Sequence, residues 1–362
     1  MLVFVGTYTE SVSPTGEKSE GIYAFRIHPQ EGVLTPVQVV GKVINPSFLA
    51  VHPNRHFLYA VNEVGEFRGE AGGGVSAFSI DVQTGELRLI SQQLSQGSDP
   101  CYLSCDATGT YVLVANYSSG SLSLLPLQPD GRLYPAVEVI QHHGSGFDPS
   151  RQAGPHVHSV VLDPTNRFVL TADLGLDQVM VYRLDLERGK LIPMESQGLK
   201  LRAGSGPRHL AFHPNGRFVY LVCELNSTLG AYMYHAEDGR LEEIGIYPML
   251  PEGYRGISWA AEVQVAPSGR FLYASNRGHD SLVIYAVDEA NGRLVYVGHA
   301  STRGVYPRHF ALDPSGTLLL VANQNSGTIL PFWVEAQTGK LTPTGQVVKV
   351  PTPVYVKIFQ EE

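Results

Sequence analysis

Short hydrophobic runs, separated by turn-forming residues, follow one another along the whole chain. Runs such as FLYAVN at 57–62 and FVYLVC at 218–223 are rich in β-branched and aromatic residues. Long apolar stripes with the 3.6-residue period of a helix are missing, and 38 glycines and 24 prolines mark frequent turns. The pattern predicts an all-β protein.

Two turn signatures recur along the chain, which indicates a repeat protein. The tripeptide Gly-x-Leu lies between two strand-like runs and predicts a hairpin; its seven copies begin at Gly32, Gly85, Gly131, Gly189, Gly239, Gly292 and Gly339. A tight turn that leads into an apolar strand has six copies, at 52–62, 106–116, 163–173, 213–224, 266–276 and 313–323. Each unit then holds four strands, A to D, as in the blade of a β-propeller.

The seventh copy of the second signature is divided between the chain ends. LVFVGTYT at 2–9 resembles the strand after this turn, and TPVYVKIF at 352–359 resembles the strand before it. We therefore predict a seven-bladed β-propeller with four antiparallel strands per blade, whose closing blade is built from about residues 1–42 and 350–360. Pairing the two ends removes a free sheet edge. Residues 1–362 are expected to form one domain.

Long insertions occur only in the B–C and D–A connections. They lie at 9–21, 63–74, 142–156 and 250–259. These connections share one face of a propeller, and long loops on a rigid scaffold commonly carry function. We expect the site on this face, at the mouth of the central channel.

Polar residues at the starts of A strands and the ends of B strands should converge there. The candidates at the A-strand starts are His156, His158, Arg208, His209, Glu262, Arg308 and His309. Those at the B-strand ends are Asp173, Glu224, Arg277 and the asparagines Asn62, Asn116, Asn276 and Asn323. Cationic groups that face carboxylates suit an anionic substrate and a reaction with proton transfer.

Structural roles compete with functional ones at several of these positions. The four asparagines recur around the ring, which favours a hydrogen-bonding role in each blade. Asp173 and Glu224 place a carboxylate where the repeat has an amide, and Asp173 could simply replace the asparagine as a cap. Arg208 could pair with Glu224 or clamp a carboxylate or phosphate. Arg277 is expected to be exposed, either as a solvated loop residue or as a phosphate contact.

Composition and charge exclude several classes of function. With 26 Lys and Arg against 34 Asp and Glu, the net charge is −8, so neither nucleic acid nor an anionic membrane is an expected partner. No run is long enough to span a membrane, and the N-terminal residues lack the features of a signal peptide, so we expect a cytoplasmic protein. The three cysteines are expected to be reduced and buried.

Cofactor motifs are also missing. The sequence has no phosphate-binding loop, dinucleotide fingerprint or nucleophile elbow. His156 and His158, two apart on a strand, point to the same side and with His142 and His143 could form a zinc site, but no third ligand has a recurring metal spacing. No cofactor and no metal are predicted.

Several segments in order resemble the seven-bladed propeller lactonases: VFVGTYT, NPSFLAVHPNRHFLYAVNE, GPHVHSVVLDPTNRFVLTADLGLD and GPRHLAFHPNGRFVYLVCELNSTLGAY. The resemblance covers essentially the whole chain. It implies hydrolysis of a small anionic lactone, 6-phospho-glucono-1,5-lactone, in the oxidative pentose phosphate route. A related muconate-lactonizing enzyme has a site of a histidine, two arginines and a glutamate, which fall here on His158 or His156, Arg208 and Arg277, and Glu224.

The resemblance implies that water attacks the lactone carbonyl. Glu224 or His158 would be the general base, Arg208 would stabilise the oxyanion, and Arg277 or Arg308 would hold the phosphate. His156, His309 and Asp173 are predicted to bind substrate. Three alternatives stay open: a carboxylated muconolactone or another sugar lactone as substrate, a calcium-dependent lactonase, and a propeller that only binds proteins.

Overall fold

The computed structural model describes residues 1–11 and 16–360; residues 12–15 of the first long insertion lie outside the described residues. The described chain consists of β-strands, with one 3₁₀ turn at Glu195–Gln197 and no α-helix. The all-β prediction is confirmed. No helix among the described residues is long and apolar enough to cross a membrane.

The strands form seven four-stranded sheets, here called blades 1–7, and the strands of each are given in the order A to D. Blades 1 and 2 are β32 (Pro353–Phe359), β1 (Leu2–Thr7), β2 (Gly21–His28), β3 (Val33–Gly41), and β4 (Leu49–Val51), β5 (Phe57–Asn62), β8 (Gly74–Ile80), β9 (Leu87–Leu94). Blades 3 and 4 are β10 (Pro100–Cys105), β11 (Tyr111–Asn116), β12 (Ser121–Pro126), β13 (Glu138–Gln141), and β14 (Val157–Leu162), β15 (Phe168–Asp173), β16 (Gln178–Asp185), β17 (Lys190–Pro193).

Blades 5 to 7 follow the same order of strands. They are β19 (Pro207–Phe212), β20 (Phe218–Cys223), β21 (Thr228–His235), β22 (Arg240–Pro248); β23 (Trp259–Val265), β24 (Phe271–Arg277), β25 (Ser281–Val287), β26 (Leu294–Ser301); and β27 (Pro307–Leu312), β28 (Leu318–Asn323), β29 (Thr328–Val334), β30 (Leu341–Pro343). Short extra strands are β6 (Glu66–Phe67) and β7 (Glu70–Ala71), which pair with each other, β18 (Leu199–Lys200) on β16 and β31 (Val348–Lys349) on β29.

Blade 1 combines strands from both ends of the chain. β32 pairs antiparallel with β1, with Val3 opposite Ile358 and Val5 opposite Val356. All four of these residues are buried. The prediction that one blade is closed by strands from both termini is confirmed.

The seven Gly-x-Leu tripeptides form the C–D hairpins, and each glycine has a positive φ, between 61° and 83°. The glycines also allow neighbouring blades to pack closely against each other. A Cβ on Gly339 would lie 2.5 Å from the Phe271 side chain of blade 6, and the Tyr273 hydroxyl donates to the Gly339 carbonyl at 2.8 Å. Phe218 and Tyr220 make the same contacts with Gly292. The repeated glycine thus serves both the turn and the packing of blade on blade.

Contacts within the chain divide it into two compact units. Unit 1 consists of residues 1–42, 209–234 and 242–362, and unit 2 of residues 43–208 and 235–241. Within unit 1, apolar residues fill the space between blades 5 and 6, 6 and 7, and 7 and 1. Within unit 2, Leu113, Leu124, Val160 and Val169 belong to the core of blades 3 and 4. The prediction of a single domain over 1–362 stays a prediction.

The four recurrent asparagines are buried hydrogen-bond donors, as the structural interpretation of the repeat predicted. Each side-chain amide donates to a carbonyl in the connection before its own A strand, and the four acceptors are the carbonyls of Ile44, Ser95, Met249 and Thr302. The Asn62 Oδ1 also accepts a bond from the Ser76 hydroxyl at 2.7 Å. The asparagines therefore tie the D–A connections to the ends of the B strands.

Replacing Asn62 by leucine is expected to lower the free energy of unfolding by about 1–3 kcal/mol, because the half-buried Ile44 carbonyl and the buried Ser76 hydroxyl both lose a partner. Chemical denaturation measures the loss. Ser76→Ala keeps the bond from Asn62 to the Ile44 carbonyl, and the half-buried Gln92 amide that it also releases can bind water, so it should cost less. Equal stability of the N62L and S76A variants would contradict the role given to Asn62.

Candidate active site

A β-bulge lies at the start of several A strands and shapes the candidate positions. The pairing of A with B shifts register between Pro100 and Tyr102, between Val157 and Ser159, and between Pro307 and His309. The extra residues are Cys101, His158 and Arg308. A bulge re-aims the side chain of its extra residue, and bulges are common beside functional sites. The strict alternation assumed for His156 and His158 is therefore interrupted.

In unit 1, Glu224 and Arg277 form a buried ion pair. Arg277 Nη2 donates to Glu224 Oε2 at 2.7 Å and to the Ala260 carbonyl at 2.9 Å. The Arg277 guanidinium also lies over the ring of Tyr306, 5.2 Å from its centroid. Arg277 is the last residue of β24 and is only 3% exposed, so the prediction of an exposed arginine was wrong. The Nε of Arg277 is buried and has no hydrogen-bond partner among the described residues.

The strand register also corrects the position of Glu224 in the repeat. Cys223 is paired with Thr228 as Asn276 is with Ser281, so Cys223 occupies the place of the amide. Glu224 comes one residue later, at the position of Arg277 in blade 6. The turn copy at 213–224 is one residue longer than the copy at 266–276, so alignment of their last residues places Glu224 one residue too early in the repeat. Asp173, paired with Gln178, does occupy the amide position.

A second buried cluster in unit 1 links three neighbouring blades. His209 Nδ1 lies 2.7 Å and His309 Nε2 lies 3.2 Å from Glu262 Oε2. The backbone N–H of Val356 donates to His309 Nδ1 at 3.4 Å, so His309 carries its proton on Nε2 and donates it to Glu262. His309, predicted to bind substrate, thus lies in a His–Glu–His network. All three residues are candidates in the sequence, but no sequence pattern predicts their connection.

Arg308 is half-buried at the start of β27 in the same unit. Its Nη2 donates to the Tyr8 hydroxyl at 2.9 Å, and its guanidinium lies 5.3 Å from the centroid of the Tyr8 ring. A guanidinium that packs against a ring and donates to its hydroxyl is held in place. Tyr8 was not predicted, and nothing in the repeat distinguishes it.

In unit 2, His156 and His158 contact the same aromatic ring. The His156 ring stacks on Tyr117 with centroids 4.5 Å apart, and the His158 ring meets Tyr117 edge-on at 5.4 Å. His156 Nδ1 lies 3.0 Å from the Tyr117 carbonyl, which can only accept, so Nδ1 carries a proton. His158 is buried beside Cys101, whose Sγ lies 3.8 Å from His158 Nδ1. Arg208, the second residue of β19, is also buried.

Asp173 is fully buried and accepts three N–H donors. Its Oδ2 lies 2.7 Å from His142 Nδ1, and its Oδ1 accepts the backbone N–H groups of His156 at 2.8 Å and Leu176 at 3.1 Å. His142 Nε2 in turn lies 2.8 Å from the Tyr182 hydroxyl. Burial, together with the Asp173 carboxylate, raises the pKa of Tyr182 far above its usual range, so the hydroxyl keeps its proton and donates it. Asp173 therefore has the capping role that the sequence left open.

No group of three or more His, Cys, Asp or Glu side chains that could hold a metal ion occurs in the described part of the chain. The three cysteines are free thiols. Cys101 and Cys223 are buried as predicted, but Cys105, the last residue of β10, is only half-buried.

Comparison with known proteins gives the family. A family model described as "Lactonase, 7-bladed beta-propeller" matches residues 2–358. The chain belongs to this family of seven-bladed β-propeller lactonases. The match confirms the predicted family, the propeller fold and the lactonase class.

The relatives of this propeller lactonase match it over nearly their whole length. It is 35% identical to the 6-phosphogluconolactonase of Bacillus subtilis over 99% of this chain and 98% of the relative. It is 34% identical to the 6-phosphogluconolactonase of Formosa agariphila, over 96% of each chain. Among solved structures, the periplasmic gluconolactonase of Pseudomonas aeruginosa is 37% identical, with a TM-score of 0.92 over 100% of both chains.

Proposed function

We propose that this protein hydrolyses 6-phospho-glucono-1,5-lactone to 6-phosphogluconate. The observation that carries the proposal is the similarity, over nearly the full length, to proteins named 6-phosphogluconolactonase from two bacteria. The muconolactone, the calcium-dependent lactonase and the protein-binding scaffold receive no such support from the comparisons.

In the proposed reaction, Glu224 takes a proton from the water that attacks the lactone carbonyl. An arginine partner favours the ionised form of a carboxylate, which a general base requires, and Arg277 is that partner. Arg308, held on Tyr8 and half-buried, is the better of the two phosphate ligands considered, because Arg277 is only 3% exposed. The oxyanion role of Arg208, the base role of His158 and the substrate contacts of His156 and His309 stay predictions.

A second candidate substrate is unphosphorylated gluconolactone. It is favoured by the similarity to a protein named as a gluconolactonase of the periplasm. The two substrates fit different compartments, because a charged phosphate ester made in the cytoplasm does not cross the membrane to the periplasm unaided. We therefore link the predicted cytoplasmic location to the phosphorylated substrate.

The rate of lactone disappearance tests the proposal. The phosphorylated lactone, generated in the assay from glucose 6-phosphate, is expected to open faster with the protein than spontaneously, and faster than gluconolactone at the same concentration. The acceleration should survive EDTA. Acceleration of gluconolactone alone would make the second candidate the substrate, and loss of activity in EDTA would revive the calcium-dependent lactonase.

A further inference from the structure

Asp173 reverses the hydrogen bonding that the asparagines provide elsewhere. An asparagine at this position donates from Nδ2 to a backbone carbonyl, as Asn276 does to Met249. A carboxylate cannot donate, and Asp173 accepts from His142, His156 and Leu176 instead. Blade 4 has therefore exchanged a donor for an acceptor at the end of its B strand.

His142 occupies the position whose carbonyl accepts the asparagine in other blades. The backbone N–H of His142 donates to Gly120, just as that of Met249 donates to Ser227 and that of Thr302 to Asp280. Where blade 6 has Asn276 bound to the Met249 carbonyl, blade 4 has Asp173 bound to the His142 side chain. The aspartate and the histidine thus form one matched replacement.

This pair joins both ends of the longest D–A insertion, residues 142–156. Asp173 Oδ2 holds the first residue of the insertion, His142, and Oδ1 holds the backbone of the last residue, His156. Within the insertion, the buried Gln152 donates from Nε2 to the Leu174 carbonyl at 2.8 Å. The insertion is therefore fastened at its two ends and near its middle to the end of β15.

His156 is the candidate site residue that this arrangement fixes. Its backbone N–H donates to Asp173, its ring stacks on Tyr117, and its Nδ1–H donates to the Tyr117 carbonyl. Nε2 then carries the lone pair of a neutral ring. His156 lines a cleft of about 670 Å³ together with Ser118, Ser119 and His143.

We propose that Asp173 and His142 form a clasp that positions His156 for substrate binding. This rests on the proposed function, in which His156 contacts the lactone, and it makes Asp173 a positioning residue rather than a ligand. Tyr182 completes the clasp by donating to His142 Nε2, which keeps the His142 proton on Nδ1 for Asp173.

The variant His142→Met with Asp173→Asn tests the clasp, because it reproduces the Met249 and Asn276 pair that blade 6 already folds with. We expect one cooperative unfolding transition at a somewhat lower temperature, because the buried Tyr182 hydroxyl loses its acceptor, His142 Nε2. KM should rise about tenfold with a nearly unchanged kcat, since a positioned ligand contact is lost equally before and during the reaction. In a crystal structure of the variant, the His156 ring should no longer stack on Tyr117.

His142→Asn is the matched control, because it keeps an N–H donor for Asp173. Its KM should be that of the wild-type protein. If the double variant does not fold, Asp173→Asn alone is used, and its KM and the position of the His156 ring test the clasp. A wild-type KM, or a His156 ring still stacked on Tyr117, would overturn the clasp. A wild-type protein inactive on both lactones would refute the proposed function, and the crystal structure would still decide on the clasp.

Discussion

Replacing Glu224 by glutamine should lower kcat/KM for 6-phospho-glucono-1,5-lactone by about 10²–10⁴-fold, the usual contribution of a general base. Glutamine has the volume of glutamate, and its side-chain oxygen can still accept the bond from Arg277 at this buried position. It cannot take a proton from water. The rate of lactone disappearance measures the loss, and circular dichroism with thermal unfolding shows whether the fold is kept.

Glu63→Gln is the matched control for this prediction. Glu63 follows the B strand of blade 2 as Glu224 follows that of blade 5, but its carboxylate accepts a bond from the Ser47 hydroxyl and has no place in the proposed reaction. The E63Q variant should keep the wild-type rate. Wild-type turnover by the E224Q variant would remove Glu224 from the reaction.

Replacing Arg277 by methionine should lower the free energy of unfolding by about 3–5 kcal/mol, because it leaves the Glu224 charge buried without its arginine. The contacts of Arg277 with the Ala260 carbonyl and the Tyr306 ring are lost as well. Chemical denaturation measures the change. The double variant E224Q/R277M should regain much of the stability, since no charge of the pair is then left buried.

An exposed arginine provides the comparison. Arg188 is 81% exposed and 3.8 Å from Asp185, so Arg188→Met should change stability by no more than about 1 kcal/mol. If the R277M variant were as stable as the R188M variant, the pair with Glu224 would carry no net stabilisation. A double variant no more stable than R277M would show the same.

The fold could be predicted from the sequence because its signals are local and repeated. A glycine with a positive φ is required at each C–D turn, and the chain places one there seven times. The closing blade was predictable because one copy of the repeat is divided between the two ends. A hairpin turn depends on a few neighbouring residues, so its glycine can be recognised in the sequence.

The site was less predictable because its bonds run between blades. From the sequence, Arg277 is an exposed residue beyond the end of a B strand. It is buried because it contacts Glu224, Ala260 and Tyr306, which are distant from it in the sequence. The one-residue error at Glu224 came from the same source, since only strand pairing shows that Cys223 holds the amide position. His142 and Tyr182 could be connected to Asp173 only once the strands were placed.

The pairing of β1 with β32 sets the order of events during synthesis. β1 leaves the ribosome long before β32, so one edge of β1 has no partner strand while the residues between the two strands are synthesised. An unpaired strand edge on a nascent chain is open to wrong pairing with other chains. The edge of β1 that closes the finished blade is therefore the edge that stays exposed to wrong pairing until β32 has been made.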